Sequence, residues 1–281
     1  MRNTLRTELW KATHNKMFLL SLAVGFFLAL ADSYLSAQTV KELHTITLES
    51  LEMGLGSGSH GGYSLFVQWL PINGFQITTT YFCLIWPALA AIPYGWSFCQ
   101  EQRNGVMKQI TTRCSKQIYF NSKFVAVFVS GGLAVALPLL LNLLVDALVC
   151  PYDIPLLGTV PIWNGGFLSS LYYTCPWVFA FCWCGVVFLL GGATACLCFI
   201  TGAMLRFQVM TILVPLVLLT VFDSLSVKLI QNATVTVSPL HMIAAANSYI
   251  TPGWVLFTAI LIITGISYIA GYLQVVKYES I

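Results

Sequence analysis

Long apolar runs separated by short polar stretches organise this chain. An α-helix rises about 1.5 Å per residue, so roughly 20 apolar residues cross the hydrocarbon core of a bilayer. Six stretches reach that length: Met17–Ala37, Ile77–Cys99, Phe124–Val149, Pro176–Ile200, Val209–Val227 and Trp254–Val276. The pattern predicts an all-α membrane protein with six transmembrane helices. The first run is too long for a removable signal peptide and lacks its small-residue cleavage pattern, so it reads as a retained span. Pro87, Pro93, Pro138 and Pro215 fall inside these runs and predict kinks, because neighbouring helices can re-satisfy the carbonyls that proline frees.

The segments between the runs are unequal. Residues 1–16 read as an amphipathic interfacial helix, with Leu5, Leu9 and Trp10 on one face and Arg2, Arg6 and Lys11 available to lipid phosphates. The alternative is a positive cluster that only sets orientation. The loop Gln38–Gln76 opens with a polar, helix-compatible stretch, Lys41–Met53, followed by a Gly/Ser hinge at Gly54–Gly62. Tyr63–Gly74 then brings Phe66, Trp69 and Leu70 back towards the interface, where aromatic residues are favoured. Leu240–Ala246, inside the loop Lys228–Pro252, predicts a short re-entrant segment before the sixth span. On the other side only Gln100–Ser122 is long enough to be structured. Asn104-Gly105 marks a turn there between two short helices. The organisation is therefore an interfacial helix (1–16), a permease-like bundle (17–276) and a short tail (277–281).

Composition narrows the class. Of 281 residues, 58% are hydrophobic and 8% charged, against about 25% charged in a soluble domain. That excludes a soluble globular protein, and the apolar content excludes disorder. A net charge of +3, spread along the chain, does not point to nucleic acid. Of the 13 Lys and Arg residues, all but Lys41 and Lys228 fall on one side of the predicted spans. The positive-inside rule then places both termini in the cytoplasm, with the chain multi-pass in the plasma membrane.

Candidate chemistry is sparse. Asp32, Asp146 and Asp223 sit near the outer ends of the first, third and fifth spans. They form either an acidic outer rim for a cationic substrate or helix-end residues that are wetted or hydrogen-bonded and escape most of the midplane penalty. Cys182/Cys184 and Cys196/Cys198 lie inside the fourth span as polarizable filling, because residues two apart on a helix point away from each other. Cys150 and Cys175 both lie at the outer boundary, and their pairing is left open. His14, His44, His60 and His241 are scattered and make no metal constellation. Asn232-Ala233-Thr234 fits a glycosylation sequon. Gly131, Gly132, Gly185, Gly191 and Gly192 suit close helix approach. No G-x-x-x-x-G-K-[ST] loop occurs, so the chain offers no nucleotide site, and the reading is not an enzyme by itself.

A basic amphipathic N-terminal segment, six spans and the Glu101-x-x-Asn104-Gly105 stretch just inside the second span together resemble ABC transporter permeases of the type-2 exporter class. That resemblance implies a cytoplasmic coupling helix docking on a separate ATPase subunit. The matching positions are Glu101, Asn104, Gly105, Ile110, Thr111 and Arg113, with Arg103 and Met107 beside them and Lys123 opening the third span. It also implies that ATP and Mg are held by that partner, that a second permease chain completes the pathway, and that the host is a bacterium. In related permeases the second and fifth spans line the dimer interface. Thr79, Tyr81, Trp86 and Tyr94 on the second span, and Thr211 and Thr220 on the fifth, are then pathway candidates. The expected function is ATP-driven export of an amphipathic substrate such as an antimicrobial peptide, drug or lipid. Two alternatives are an ATP-independent secondary carrier and a membrane sensor or assembly subunit that transports nothing.

Overall fold

A computed structural model of the chain describes residues 2–53, 64–74, 76–112, 114–155, 162, 166–201, 207–229, 235, 237–246 and 250–277. The Gly/Ser hinge, Arg113, Arg206, the sequon and residues 278–281 lie outside them. The described residues form an all-helical bundle: α1 (Arg2–Thr13), α2 (Lys16–Glu52), α3 (Leu65–Gln68), α4 (Ile77–Ala91), α5 (Ser97–Arg103), α6 (Val106–Thr111), α7 (Lys116–Val149), α8 (Ser169–Thr174), α9 (Pro176–Ala195), α10 (Cys198–Thr201), α11 (Gln208–Leu229) and α12 (Gly253–Lys277). Five helical segments are long and apolar enough to cross a membrane: Lys16–Ser50, Lys116–Val149, Pro176–Ile200, Gln208–Ser226 and Gly253–Val275. This is a membrane protein by length and composition.

The predicted second span, Ile77–Cys99, is not one continuous helix. α4 stops at Ala91, and a turn at 92–96 separates it from α5. Fifteen residues at about 1.5 Å each reach only about 22 Å, short of the roughly 30 Å core. The break coincides with Pro93, which has no N–H for the carbonyl of Leu89, although Ile92 before it keeps helical dihedrals. The neighbouring α2 closes the gap. Ser21 Oγ donates to Leu89 O at 2.8 Å, in place of the missing backbone N–H. Asn15 caps α2 by accepting from Phe18 N at 2.6 Å, and its amide donates to Pro93 O at 2.7 Å. Pro215 inside α11 is handled alike, because the carbonyl it frees, Thr211 O, accepts from the Cys198 thiol at 3.4 Å.

Helix α7 is the axis of the bundle, with α1, α2, α4 and α9 packed around it. Its approach to α9 depends on glycine. A Cβ at Gly132 would lie 2.5 Å from Phe188 O, and one at Gly192 would lie 2.7 Å from Phe128 O, so only hydrogen lets these backbones meet. Gly131 and Gly191 face each other across the same seam, whereas Gly185 faces open space. Of the alternating aromatics on α9, Phe179 and Trp183 are buried and Phe181 is exposed.

The two ends of the bundle differ. At the basic end, α1, α5 and α6 pack beside the start of α7. At the opposite end, α2 continues as one helix through the polar stretch to Glu52, so the predicted loop segment Lys41–Met53 is an extension of the first span. Two non-spanning segments fold back inward there. One is 64–74, with Phe66, Trp69 and Leu70 fully buried rather than interfacial. The other is a 3-10 turn, His241–Ile243, whose Met242 and Ile243 are buried. Three indoles fix these segments. Trp69 Nε1 donates to Leu139 O (3.2 Å), Trp86 Nε1 to Leu240 O (3.1 Å) and Trp183 Nε1 to Ile243 O (3.1 Å). Trp183 lies seven residues past Pro176, so the turn sits about 10 Å below the end of α9. Ala245 N donates to Pro71 O at 2.8 Å and ties the two inward folds together.

Candidate functional site

Two buried polar groupings stand out from an otherwise apolar interior, one at each end of α7. At the basic end, Lys123 is fully buried. Its Nζ lies 2.5 Å from Glu101 Oε2 on α5 and 3.8 Å from Glu8 Oε2 on α1. Tyr119, one turn before Lys123, donates its hydroxyl to Glu101. Tyr94 donates to Glu8 at 2.8 Å, and Lys11 bonds the other Glu8 oxygen at 2.8 Å. The Lys123 ammonium also lies 5.1 Å from the Tyr94 ring centre and 5.6 Å from that of Tyr119, within reach of both ring faces. Two carboxylates face two ammonium groups, so the set is neutral. Burial works against the charge on Glu8, yet Lys123 and Lys11 together hold its carboxyl below the usual glutamate range. Lys11 is likewise opposed by burial and is raised by Glu8.

This node revises two sequence expectations. On α1 the inward face carries Glu8 and Ala12, while Trp10 points outward and stacks on His14 at 5.1 Å. The apolar face expected from Leu5, Leu9 and Trp10 is therefore split, with Leu9 packed against the core. In the α5–α6 element, Glu101 turns into the bundle rather than towards a partner. Met107 is buried and Ile110 packs against the core. Arg103 and Asn104 are exposed. Gly105 makes the turn with φ 69°, a left-handed conformation that favours glycine, as the Asn-Gly pair predicts. Thr111 closes α6, and Arg113 lies outside the described residues.

At the other end, Asp32 on α2 and Asp146 on α7 are both fully buried. Neither is open to solvent, and Asp32 is instead the hydrogen-bonded one of the two. Thr78 Oγ1 donates to Asp32 Oδ1 at 2.5 Å, and Asn142 Nδ2 reaches Asp32 Oδ2 at 3.3 Å. Asn142 also donates towards Ser33 Oγ (2.9 Å) and Ala29 O (3.1 Å), and its own carbonyl accepts from Leu70 N at 2.9 Å. Asp146 lies beside Asp32 with the Ser33 hydroxyl facing its carboxylate, but neither of its oxygens makes a hydrogen bond of full geometry. Asp223 stands apart from both and pairs with His241 at 3.3 Å. The three acids do not form one rim.

The pathway candidates also scatter. Thr79 is buried on α4, Tyr81 is exposed, Trp86 is pinned to Leu240 and Tyr94 belongs to the ionic node. Thr211 and Thr220 bond back into their own helix. An apolar groove of about 760 Å³ does run along α11 and α12, lined by Leu218, Phe222, Trp254, Ile262 and Ile266 among others. Phe222 and Pro239 of its lining adjoin the Asp223–His241 pair. Cys150 and Cys175 are both free thiols.

Glu8, Tyr119, Ser33 and Asn142 are not singled out by the sequence, Lys123 enters there only as the residue opening the third span, and Thr78 only as one of the hydroxyl and aromatic residues of the second span. A signal existed on α7 alone: Tyr119/Lys123 and Asn142/Asp146 are both four apart, which stacks polar groups on one face of an apolar helix. No family model matches the chain, and no curated protein matches its sequence.

Proposed function

We propose that this chain is the transmembrane permease subunit of an ATP-driven exporter of the ABC type-2 class, paired with a second permease chain and a separate ATPase. In this reading the basic end faces the cytoplasm of a bacterial plasma membrane, and α4, the turn at 92–96 and α5 together make the sixth crossing. The observation that carries it is the ionic node. Glu8 on α1 and Glu101 on α5 both close on Lys123, so the short helices at the basic end are fastened to the longest-packed helix of the bundle. A push on α6 by a closing ATPase would reach α7 through that connection. The groove along α11 and α12, with an acid–histidine pair at its border, supports an amphipathic cargo bearing a cationic group, such as a peptide, drug or lipid.

The test is gentle purification of the tagged chain in nanodiscs, with identification of what co-purifies. A stoichiometric P-loop ATPase that is lost when the exposed Arg103 and Asn104 are both replaced by Ala supports the reading. A clean chain, even after mild crosslinking, removes its energy source. A second reading, an ATP-independent carrier, is favoured by one observation, the sealed acids Asp32 and Asp146 inside the bundle. Ion-dependent flux by the chain alone would establish it.

A further inference from the structure

The two ends of α7 treat buried charge differently. Glu8 and Glu101 meet Lys123 and Lys11. Asp32 and Asp146 are as deeply enclosed, yet among the described residues no Lys, Arg or His pairs with either. An ionised carboxylate removed from water is very costly unless a counter-charge or full hydrogen bonding offsets it. Asp32 has Thr78 and Asn142, which suits a carboxylate. Asp146 has neither: both oxygens are enclosed, with Asp32 alongside and the Ser33 hydroxyl facing them without full hydrogen-bond geometry. The remaining groups from the packed elements are neutral: Thr78 from α4, Leu70 N from the 64–74 fold, Asn142 from α7, and the Cys150 thiol just beyond it.

The geometry points to a cation site at this cluster: one positive charge, a sodium ion or a proton, held by the Asp146 carboxylate between Asp32 and Ser33. The donor set is all oxygen, which matches a hard cation. Asn142 organises the site by holding Asp32, Ser33 and the 64–74 backbone at once. Occupancy would therefore be felt by α2, α7 and the inward fold together, whichever transport reading holds.

The experiment uses the full chain in zwitterionic-lipid nanodiscs. The unfolding midpoint is measured at fixed ionic strength while sodium replaces choline, and the infrared carbonyl stretch of protonated carboxylic acid is recorded in sodium-free buffer at neutral pH. A saturable midpoint rise of a few degrees with sodium, absent in Asp146→Asn, identifies sodium. An acid band lost in Asp146→Asn, with no sodium response, identifies a proton. If Asp146→Asn does not fold, Asp32→Asn takes its place. Removing that neighbouring negative charge weakens the sodium response by about tenfold, or moves the loss of the band to lower pH. Wild-type protein with neither a sodium response nor an acid band overturns the proposal. So does a response that both variants leave unchanged.

Discussion

Replacing Lys123 with Met keeps much of the side chain's apolar length and removes its charge. At an effective dielectric of about 20, the attraction across 3.8 Å to Glu8 is about 4 kcal/mol before desolvation is counted. The Glu101 contact at 2.5 Å is closer still. Most of that gross attraction is offset by the cost of burying the ions, and breaking one side of a buried pair typically costs about 3–5 kcal/mol. For a chain of this size each kcal/mol moves the unfolding midpoint by about 2–4 °C, so a fall on the order of 10 °C is expected in detergent or nanodisc melts. The pH dependence carries a sign. Glu8 sits below its ordinary value of 4.5, so its contribution is present above that pH and is lost as pH falls through its lower folded value. In Lys123→Met, Lys11 and Tyr94 oppose burial without Lys123, so Glu8 takes up its proton at higher pH than in wild type, and the gap to wild type narrows on acidification. The double variant Lys123→Met/Glu101→Gln should recover part of the loss, because it no longer buries a lone carboxylate next to the gap. A Lys123→Met midpoint within 2 °C of wild type, unchanged between neutral and mildly acidic pH, would refute the reasoning.

Three further outcomes follow from the packing. Ser21→Ala leaves Leu89 O without its donor next to Pro93 and should cost about 1–3 kcal/mol, read as a lower unfolding midpoint, whereas Ser21→Thr keeps the hydroxyl and loses less. Gly132→Ala puts a methyl 2.5 Å from Phe188 O and should separate α7 from α9, seen as a loss of monodisperse protein on gel filtration, while Gly185→Ala meets nothing within 4 Å and should be neutral. Trp86→Phe keeps the ring but removes the donor to Leu240 O, at a cost of about 1–3 kcal/mol, with faster proteolysis of the 237–246 segment as the direct readout.

Five spanning segments were legible in the sequence because their signal is one-dimensional: enough consecutive apolar residues to match the thickness of a bilayer. The interruption after Ala91 was not, because proline alone does not decide it. Pro87, Pro138 and Pro215 remain inside helices, while Pro93 coincides with a break whose freed carbonyls are taken by Ser21 and Asn15 from another helix. The turn at Asn104-Gly105 was readable from two residues, since a positive φ has few other solutions. The polar groupings were only half readable. Asn142 and Asp146 announce a face on α7, but that Asp32 and Thr78 come from α2 and α4 to meet them is a fact of packing. Glu8 was masked for a different reason. On a short basic helix a glutamate looks like a solvated charge, and only its distance to Lys123 shows it is not.

The 3-10 turn at His241–Ile243 bears on the order in which the molecule can be completed during synthesis. Trp86 and Trp183 belong to helices made early, yet the carbonyls they bond, Leu240 O and Ile243 O, are made more than 50 residues later. Pro71 O, earlier still, takes its N–H donor from Ala245. Until the ribosome has delivered this short stretch, two indoles and a backbone oxygen inside the apolar interior wait for partners. The chain can insert helix by helix, but its centre is closed only by a late-arriving keystone of a few residues. Nascent chains stalled before residue 240 should accordingly be held by membrane chaperones or cleared by proteases, although every helix up to α11 has already been synthesised.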